Sequence, residues 1–245
     1  MAIVRRFARE HNVMAMIDIP TLDGGESFKA WLAEPSGAPR GAIVVIQEIF
    51  GVNEGIRRKC DRWAELGYIA LAPDLFWRLE PGVELDPDVP DQFQRALGLM
   101  QRFDQDQGIG DIEAAIREAR RRLPDGGKVG CVGYCLGGRL AYLTAARTDI
   151  DASVGYYAVG LPDILHEKHA ISRPLMLHVA GADHFVDEVQ QRQIHAGLDD
   201  HPRVTLHDYP GEDHGFAAEM GTRRSGAAAQ LADGRTEAFF TEHLG

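Results

Sequence analysis

The sequence predicts a single α/β domain, residues 1–245, in which a mostly parallel central sheet is covered by helices on both faces. Short apolar runs bounded by turns alternate with amphipathic segments, which is the pattern of consecutive βαβ units. The length of 245 residues fits one such domain around one core. No internal repeat or linker divides the chain, so a second domain is not expected.

The first half begins with an antiparallel hairpin at residues 14–33, predicted because Asp23-Gly24-Gly25 is a turn sequence. The elements expected next are a buried strand at 42–46, a helix at 54–66 ended by Gly67, and a strand at 68–72. The stretch from Pro73 to Pro90 is rich in prolines and acidic residues. A loop of that length usually contributes to a site, so it is a candidate lid.

The second half continues the alternation of helices and strands. It predicts helices at 90–103 and 110–123, a strand at 128–132, a helix to about 147, strands at 152–156 and 175–180, a helix at 187–198, a strand at 204–209, and a helix from about 225. The strand at 128–132 runs directly into Gly-Tyr-Cys-Leu-Gly-Gly. This junction between a strand and a helix contains the residues from which a function can be inferred.

Composition excludes several classes of function. The formal net charge of −11, with dispersed basic residues, disfavours nucleic acid as a partner. No apolar run approaches the ~20 residues of a membrane span, and residues 1–13 do not resemble a secretion signal. Three cysteines without a C-x-x-C pair predict neither disulfides nor a zinc site. We expect a cytoplasmic protein without metal or cofactor, with nothing that demands a dimer.

The segment Gly133-Tyr134-Cys135-Leu136-Gly137 has the spacing of the G-x-S-x-G nucleophile elbow of α/β-hydrolases, with sulfur in place of the hydroxyl. The flanking glycines suit a turn too tight for side chains. A cysteine at the N-terminus of the following helix is favoured as a thiolate, since free N–H groups and the helix dipole stabilise negative charge. Cys135 is therefore predicted to be the nucleophile, with the Leu136 N–H as an oxyanion donor.

An elbow nucleophile of this fold is followed in the chain by an acid and then a histidine, each after a strand. Asp183 follows the strand at 175–180, and His214 follows the strand at 204–209. His214 is predicted to be the base, and Asp183 to orient its ring. Structural roles are expected for the neighbouring residues Cys131, His178, His184 and Asp213.

Nearly the whole chain resembles the dienelactone hydrolases (carboxymethylenebutenolidases). The residues that carry the resemblance are Gln47 to Asn53, Pro73-Asp74-Leu75, Gly130 to Gly138, Val154 to Tyr157, Ala182 to Val186 and His214 to Ala217. The resemblance implies a triad of Cys135, Asp183 and His214, and an oxyanion hole from the N–H groups of Ile49 and Leu136. It also implies that Glu48 keeps the resting thiol neutral until substrate arrives.

The family's substrate is a dienelactone that carries a carboxylate, on a pathway that degrades chlorinated aromatic compounds. Two arginines hold that carboxylate in the family. The first matches Arg78, but the second position is Ala218 in this chain, and Arg223 or Arg224 is the available substitute. Tyr156 matches a pocket residue, and Trp77 is expected to add an aromatic wall.

Three functions remain open from the sequence. A dienelactone hydrolase acting on a small anionic enol-lactone is the first, because a thiolate leaves easily and suits an enolic leaving group. A related carboxylesterase or thioesterase with another small acyl substrate is the second, favoured by Ala218. A catalytically silent thiol sensor or binding protein is the third, and the presence of Asp183 and His214 argues against it.

Overall fold

An eight-stranded sheet forms the centre of the protein in the computed structural model, which describes residues 12–245. The strands are β1 (Val13–Pro20), β2 (Ser27–Glu34), β3 (Ala42–Ile46), β4 (Ile69–Pro73), β5 (Val129–Tyr134), β6 (Ala152–Tyr156), β7 (Leu175–Ala180) and β8 (Val204–Tyr209). Their order across the sheet is β1-β2-β4-β3-β5-β6-β7-β8. The strands from β4 to β8 pair in parallel, and β2 joins them antiparallel through β4.

Six α-helices accompany the sheet in the described part of the chain. They are α1 (Glu54–Glu65), α2 (Pro90–Arg102), α3 (Gln105–Arg122), α4 (Leu136–Arg147), α5 (Glu188–Leu198) and α6 (Gly226–Leu244). Every residue of β3, β4, β5, β6 and β7 is buried, as expected for strands covered on both faces. The predicted α/β-hydrolase fold class is confirmed. None of the described helices combines the length and apolar character that crossing a membrane requires.

The predicted elements are present, with two differences. Helix α3 begins five residues earlier than expected, because Asp104 caps it by accepting the N–H groups of Asp106 and Gln107. A 3-10 segment, Leu161–Ala170, was not predicted, since its short turns lack the 3.6-residue periodicity. Residues 1–11, on which the prediction about secretion mainly rests, lie outside the described residues.

The stretch between β4 and α2 does not cover the catalytic cavity, so the prediction of a lid at 73–90 is wrong. It is fixed to the body of the protein by buried apolar side chains, Leu75, Phe76, Val83 and Leu85. Asp74 accepts the N–H groups of Phe76 and Gly82, and Asn53 donates to the Leu85 carbonyl. The loop therefore packs into the core, and its prolines and acids reflect turns rather than a cover.

Candidate active site

The turn at Cys135 joins β5 to α4 and holds this residue in a conformation that few side chains adopt. Its φ of 57° is positive, and its N–H donates to the Tyr156 carbonyl at 3.1 Å. A Cβ on Gly133 would stand 1.9 Å from the Gly137 carbonyl oxygen, and one on Gly137 would stand 2.4 Å from the Ile46 oxygen. The glycine spacing is thus required by direct backbone approach, as the sequence predicted.

Strain at this position directs the Cys135 side chain away from the packed strand and helix. The side chain lines a cavity, and the residue retains 8% exposure. Such strained elbow conformations cost on the order of 1–3 kcal/mol and persist where the surrounding structure enforces them. Here β5 and α4 enforce it from either side.

His214 and Asp183 form a buried pair beside the elbow. The His214 Nδ1 and an Asp183 carboxylate oxygen are 2.8 Å apart, and the two side chains are 2% and 1% exposed. The other Asp183 oxygen accepts the N–H groups of Phe185 and Val186 at 2.8 and 3.2 Å. These bonds fix the carboxylate, which fixes the imidazole and makes Nδ1 the protonated nitrogen.

The second ring nitrogen, Nε2 of His214, is buried and has no hydrogen bond of standard geometry among the described residues. Burial alone would lower the pKa of His214. The nearby negative charge of a Cys135 thiolate, together with the hydrogen bond to Asp183, outweighs burial and raises that pKa to about 10. His214 is therefore able to accept a proton and retain it.

Glu48 follows β3 and shares the cavity with Cys135 and His214. Burial raises the pKa of the Glu48 carboxyl, although the positive charges of His214, Arg223 and Lys59 oppose this rise. Burial favours the protonated form of this carboxyl, whereas the neighbouring cations favour its ionised form.

Tyr157 also adjoins this group, which the sequence analysis did not predict. Its φ is 35°, its N–H donates to the His178 carbonyl, and its ring centroid lies 4.9 Å from that of His214. Burial raises the pKa of Tyr157, and the charges of Glu48 and Cys135 raise it further. The phenol therefore stays protonated as a potential donor. Its position directly after a matched motif residue, Tyr156, was the available signal.

The cavity has a volume of about 270 Å³ and two chemically different parts. The reactive end consists of Glu48, Ile49, Cys135 and His214. The apolar wall consists of Phe50, Phe93, Leu97, Met100, Val159 and Phe185. Arg223 also lines the cavity.

The two oxyanion-hole candidates lie at this reactive end. Leu136 is the first residue of α4, where N–H groups have no acceptor within the helix. Ile49 directly follows Glu48 and lines the cavity. Two separate chain segments, one after β3 and one at the start of α4, thus lie next to Glu48 and Cys135 in the chain.

The structure places Arg78 and Trp77 outside the cavity and does not bring these predicted substrate-binding residues together with Cys135. Both Arg78 NH groups donate to the buried carboxylate of Asp111, one of them at 3.0 Å. The Trp77 Nε1 donates to the same carboxylate at 2.9 Å, and its ring stacks on Phe28. These side chains instead fix the loop to α3, because a buried carboxylate requires such partners.

Tyr156 likewise does not line the cavity. It is fully buried beneath the elbow, and its hydroxyl lies 2.7 Å from the Thr236 hydroxyl. His178 bonds to that same hydroxyl and to Tyr209, which agrees with the structural role expected for it. Alternation along β6 directs Tyr156 into the core, whereas Tyr157, one residue later, reaches the reactive end.

Arg223 and Arg224, the two possible substitutes for an arginine at position 218, differ in whether they face the cavity. Arg223 lines it, whereas Arg224 is committed to ion pairs with Glu219 and Asp233. Ala218 lies on the far side of Glu48, where it borders a much smaller internal space together with Lys59. Of the two substitutes considered for the arginine absent at position 218, Arg223 therefore faces the cavity and Arg224 does not.

His184 and Asp213, which the sequence analysis set aside, bond to each other at 2.7 Å on the surface. Asp213 also accepts the N–H of His214, so its carboxylate supports the backbone rather than the catalytic ring. Potential ligand atoms of Asp183, His184 and Asp213 lie within 4.8 Å of one another. Asp183 is already bonded to His214, which leaves the surface pair as a local support.

The fold together with an elbow, a histidine and an acid after successive strands defines an α/β-hydrolase. The sequence profile described as "Dienelactone hydrolase family" matches residues 28–244. The chain belongs to this family, as the resemblance predicted, and is a hydrolase.

Individual relatives agree with this assignment. A protein of Azospirillum brasilense is 44% identical over 234 residues, which cover 95% of this chain and 100% of the relative. A carboxymethylenebutenolidase of Pseudomonas putida is 42% identical over 219 residues, 89% of this chain and 92% of the relative. A solved structure from Klebsiella pneumoniae is similar with a TM-score of 0.82 and 26% identity, covering 95% of this chain and 100% of that one.

Proposed function

We propose that this chain is a cysteine-dependent hydrolase that opens a small enol-lactone through an acyl-enzyme on Cys135. The observation that carries the proposal is that the tight strand-to-helix turn places Cys135 on the same cavity as His214, and that Asp183 is hydrogen-bonded to His214. The names of the relatives support the lactone, since a carboxymethylenebutenolidase acts on one. A role in the degradation of aromatic compounds is part of the same proposal.

The first half of the reaction forms a carbon–sulfur bond. His214 Nε2 takes the thiol proton, and the Cys135 sulfur attacks the lactone carbonyl. The carbonyl oxygen becomes an oxyanion that accepts the N–H groups of Ile49 and Leu136. As the carbonyl reforms, the ring carbon–oxygen bond breaks, and the enolate oxygen leaves with the proton from His214, which returns the ring to its neutral form.

The second half releases the acid. Water gives a proton to His214 and attacks the thioester carbon, and the sulfur leaves as the thiolate. Because thiolate is itself a good leaving group, the first tetrahedral intermediate goes forward only when the other group leaves at least as easily. An enol oxygen satisfies this condition, whereas an amide nitrogen does not. Sulfur therefore favours enol-lactones and activated esters.

Glu48 is proposed to restrain the thiol in the resting enzyme. An ionised carboxylate at the reactive end opposes a second negative charge on the sulfur. A substrate that displaces Glu48 removes that opposition. The thiolate then forms when there is a carbonyl to attack, which limits oxidation of an idle thiol.

A related carboxylesterase or thioesterase remains a second candidate, favoured by a specific observation. Six apolar residues form one wall of the cavity, and neither Arg78 nor an arginine at position 218 is there to bind a carboxylate. We further propose a cytoplasmic location, which the three free thiols support.

The experiment that tests the proposal is a substrate panel run on the wild type and on Cys135→Ala. We expect the wild type to hydrolyse cis- or trans-dienelactone or a phenyl ester, with loss of turnover in the variant. Electrospray mass spectrometry under rapid quench should show the acyl group on Cys135. An unchanged rate in Cys135→Ala would refute the nucleophile.

A further inference from the structure

We propose that the part of the substrate beyond the scissile carbonyl is uncharged and apolar, and that helix α2 selects it. This inference rests on the proposed function, because it concerns the substrate of the same site. It names a substrate class, neutral esters or lactones with an aromatic or compact aliphatic body, that differs from the anionic lactone implied by the resemblance.

The first support is the face that α2 presents to the cavity. Phe93, Leu97 and Met100 occupy positions i, i+4 and i+7, which lie on one side of a helix. All three are partly exposed, although their helix also buries Ala96 and Leu99 in the core. The exposed apolar face is directed at the cavity, so a ligand body is the group available to cover it.

Aromatic rings complete the wall on the other sides. The ring centroids of Phe50 and Phe93 lie 5.9 Å apart in a tilted arrangement. Phe185 also lines the cavity, with its ring 4.8 Å from that of His214. Apolar surface of this kind binds apolar groups and penalises a carboxylate that must give up its water.

The charges at the cavity do not favour an anion. Arg223 is the one arginine or lysine among the described lining residues, and its guanidinium carbon lies 5.5 Å from the Phe93 ring and 6.0 Å from the Phe50 ring. Its charge also acts on Glu48. The two opposite charges offset each other, so an incoming carboxylate would have to compete with Glu48 for Arg223 and would be repelled by Glu48.

The orientation follows from these positions. With the carbonyl between Cys135 and the oxyanion donors, the rest of a small substrate extends into the remaining volume, which the apolar wall bounds. A cavity of about 270 Å³ accommodates one ring with short substituents. A long acyl chain would extend beyond this volume.

The test compares cis-dienelactone with its methyl ester, which differ by the negative charge. Each kcat/KM is divided by the rate constant for hydrolysis of the same compound by hydroxide, which removes intrinsic reactivity. We expect the wild type to favour the methyl ester at least tenfold, mainly through KM. A wild-type preference for the free acid overturns the inference and leaves the nucleophile assignment intact.

Two variants at one position assign the preference to the wall. Leu97→Arg introduces a cation on the cavity face of α2 and should shift the ratio toward the free acid by tenfold or more. Leu97→Gln removes the apolar group without charge and should weaken the methyl ester without favouring the acid. An unchanged ratio in folded Leu97→Arg, checked by circular dichroism, contradicts selection by α2.

The proposed function fails separately, and this inference with it, if the wild type opens neither compound and hydrolyses no aryl ester. Loss of both activities in Cys135→Ala, combined with a free-acid preference in the wild type, would instead retain the function and reject the apolar substrate class. The two failures are therefore distinguishable in one set of measurements.

Discussion

The reactive end and the apolar wall of the cavity are built in different ways. At the reactive end, Glu48, Cys135 and His214 follow the ends of the parallel strands β3, β5 and β8. At Cys135, the close backbone approach of Gly133 and Gly137 fixes the turn. The wall takes its side chains from α2 and from separate loops, where the backbone permits many residue types. Reaction chemistry is thus held by backbone geometry, and selectivity by side chains that can change without altering it.

The strongest test of this contrast is removal of the nucleophile. Cys135→Ala is expected to lower kcat by about 10³-fold or more, since the remaining oxyanion donors and binding supply only a residual rate. The alanine keeps the β-carbon, so the unfolding midpoint in urea should change little. A matched Cys131→Ala variant removes a buried thiol from β5 and should lose stability while it keeps its activity.

The second largest effect is expected from the orienting acid. Asp183→Asn keeps the shape and the hydrogen bonds from Phe185 and Val186, but its amide can stabilise the wrong tautomer of His214 and cannot stabilise its cation. We expect kcat to fall on the order of 10²- to 10⁴-fold. As a control, Asp213→Asn alters the neighbouring surface carboxylate and should retain at least a third of the activity. Equal losses in both variants would contradict the assignment of Asp183.

The sequence predicted the reactive end of the cavity better than its apolar wall. Cys135, Asp183 and His214 were predictable because the elbow spacing and the positions after strands reflect backbone constraints, and the structure brings them together. The apolar wall was not predicted, because partly exposed side chains on α2 have the same periodicity as core residues. Their cavity face becomes visible only once the helix is placed against the reactive end.

Arg78 and Tyr156 lie away from the cavity lining that was expected for them, and the two cases have a related cause. Both were matched by position in a motif, but a one-residue difference along a strand or loop reverses the direction of a side chain. Arg78 is turned toward Asp111, and Tyr156 toward Thr236. Motif alignment located the correct segments, and the pattern alone did not contain the direction of each side chain.

A smaller effect, on pH dependence, is expected at Glu48. Burial raises the pKa of this carboxyl, so its proton is retained to higher pH than in the unfolded chain. Above that pKa, its charge opposes ionisation of Cys135. Glu48→Gln removes this opposition and should move the pH profile of iodoacetamide labelling to lower pH by about 0.5 to 1 unit.

The labelling is specific because burial raises the pKa of the other two thiols, Cys131 to about 12 and Cys60 also upward. Cys135→Ala should therefore remain unlabelled.

The raised pKa of Glu48 also determines how the stability of the protein changes with pH. A folded-state pKa above the unfolded value means that the wild type loses stability as pH rises from about 4.5 through the Glu48 pKa. Glu48→Gln should lack this loss, and coincident profiles would reject the restraining role.

The smallest effect on turnover is expected where a substrate contact was first predicted. Arg78→Ala should leave kcat/KM within about twofold, because Arg78 faces Asp111 outside the cavity. It should nevertheless lower the free energy of unfolding by about 1–2 kcal/mol, since the buried Asp111 carboxylate keeps only the hydrogen bond from Trp77. Urea denaturation together with kinetics on one preparation measures both quantities.

The double variant Arg78→Ala, Asp111→Asn separates the two explanations for any change at this position. If the loss of stability comes from an unpaired buried charge, the neutral asparagine should recover part of it. A contact with substrate would show the opposite pattern, in which kcat/KM falls tenfold or more in Arg78→Ala and is not recovered by Asp111→Asn. That result would mean that the loop before α2 reaches the cavity during turnover, and selectivity would then no longer belong to the apolar wall alone.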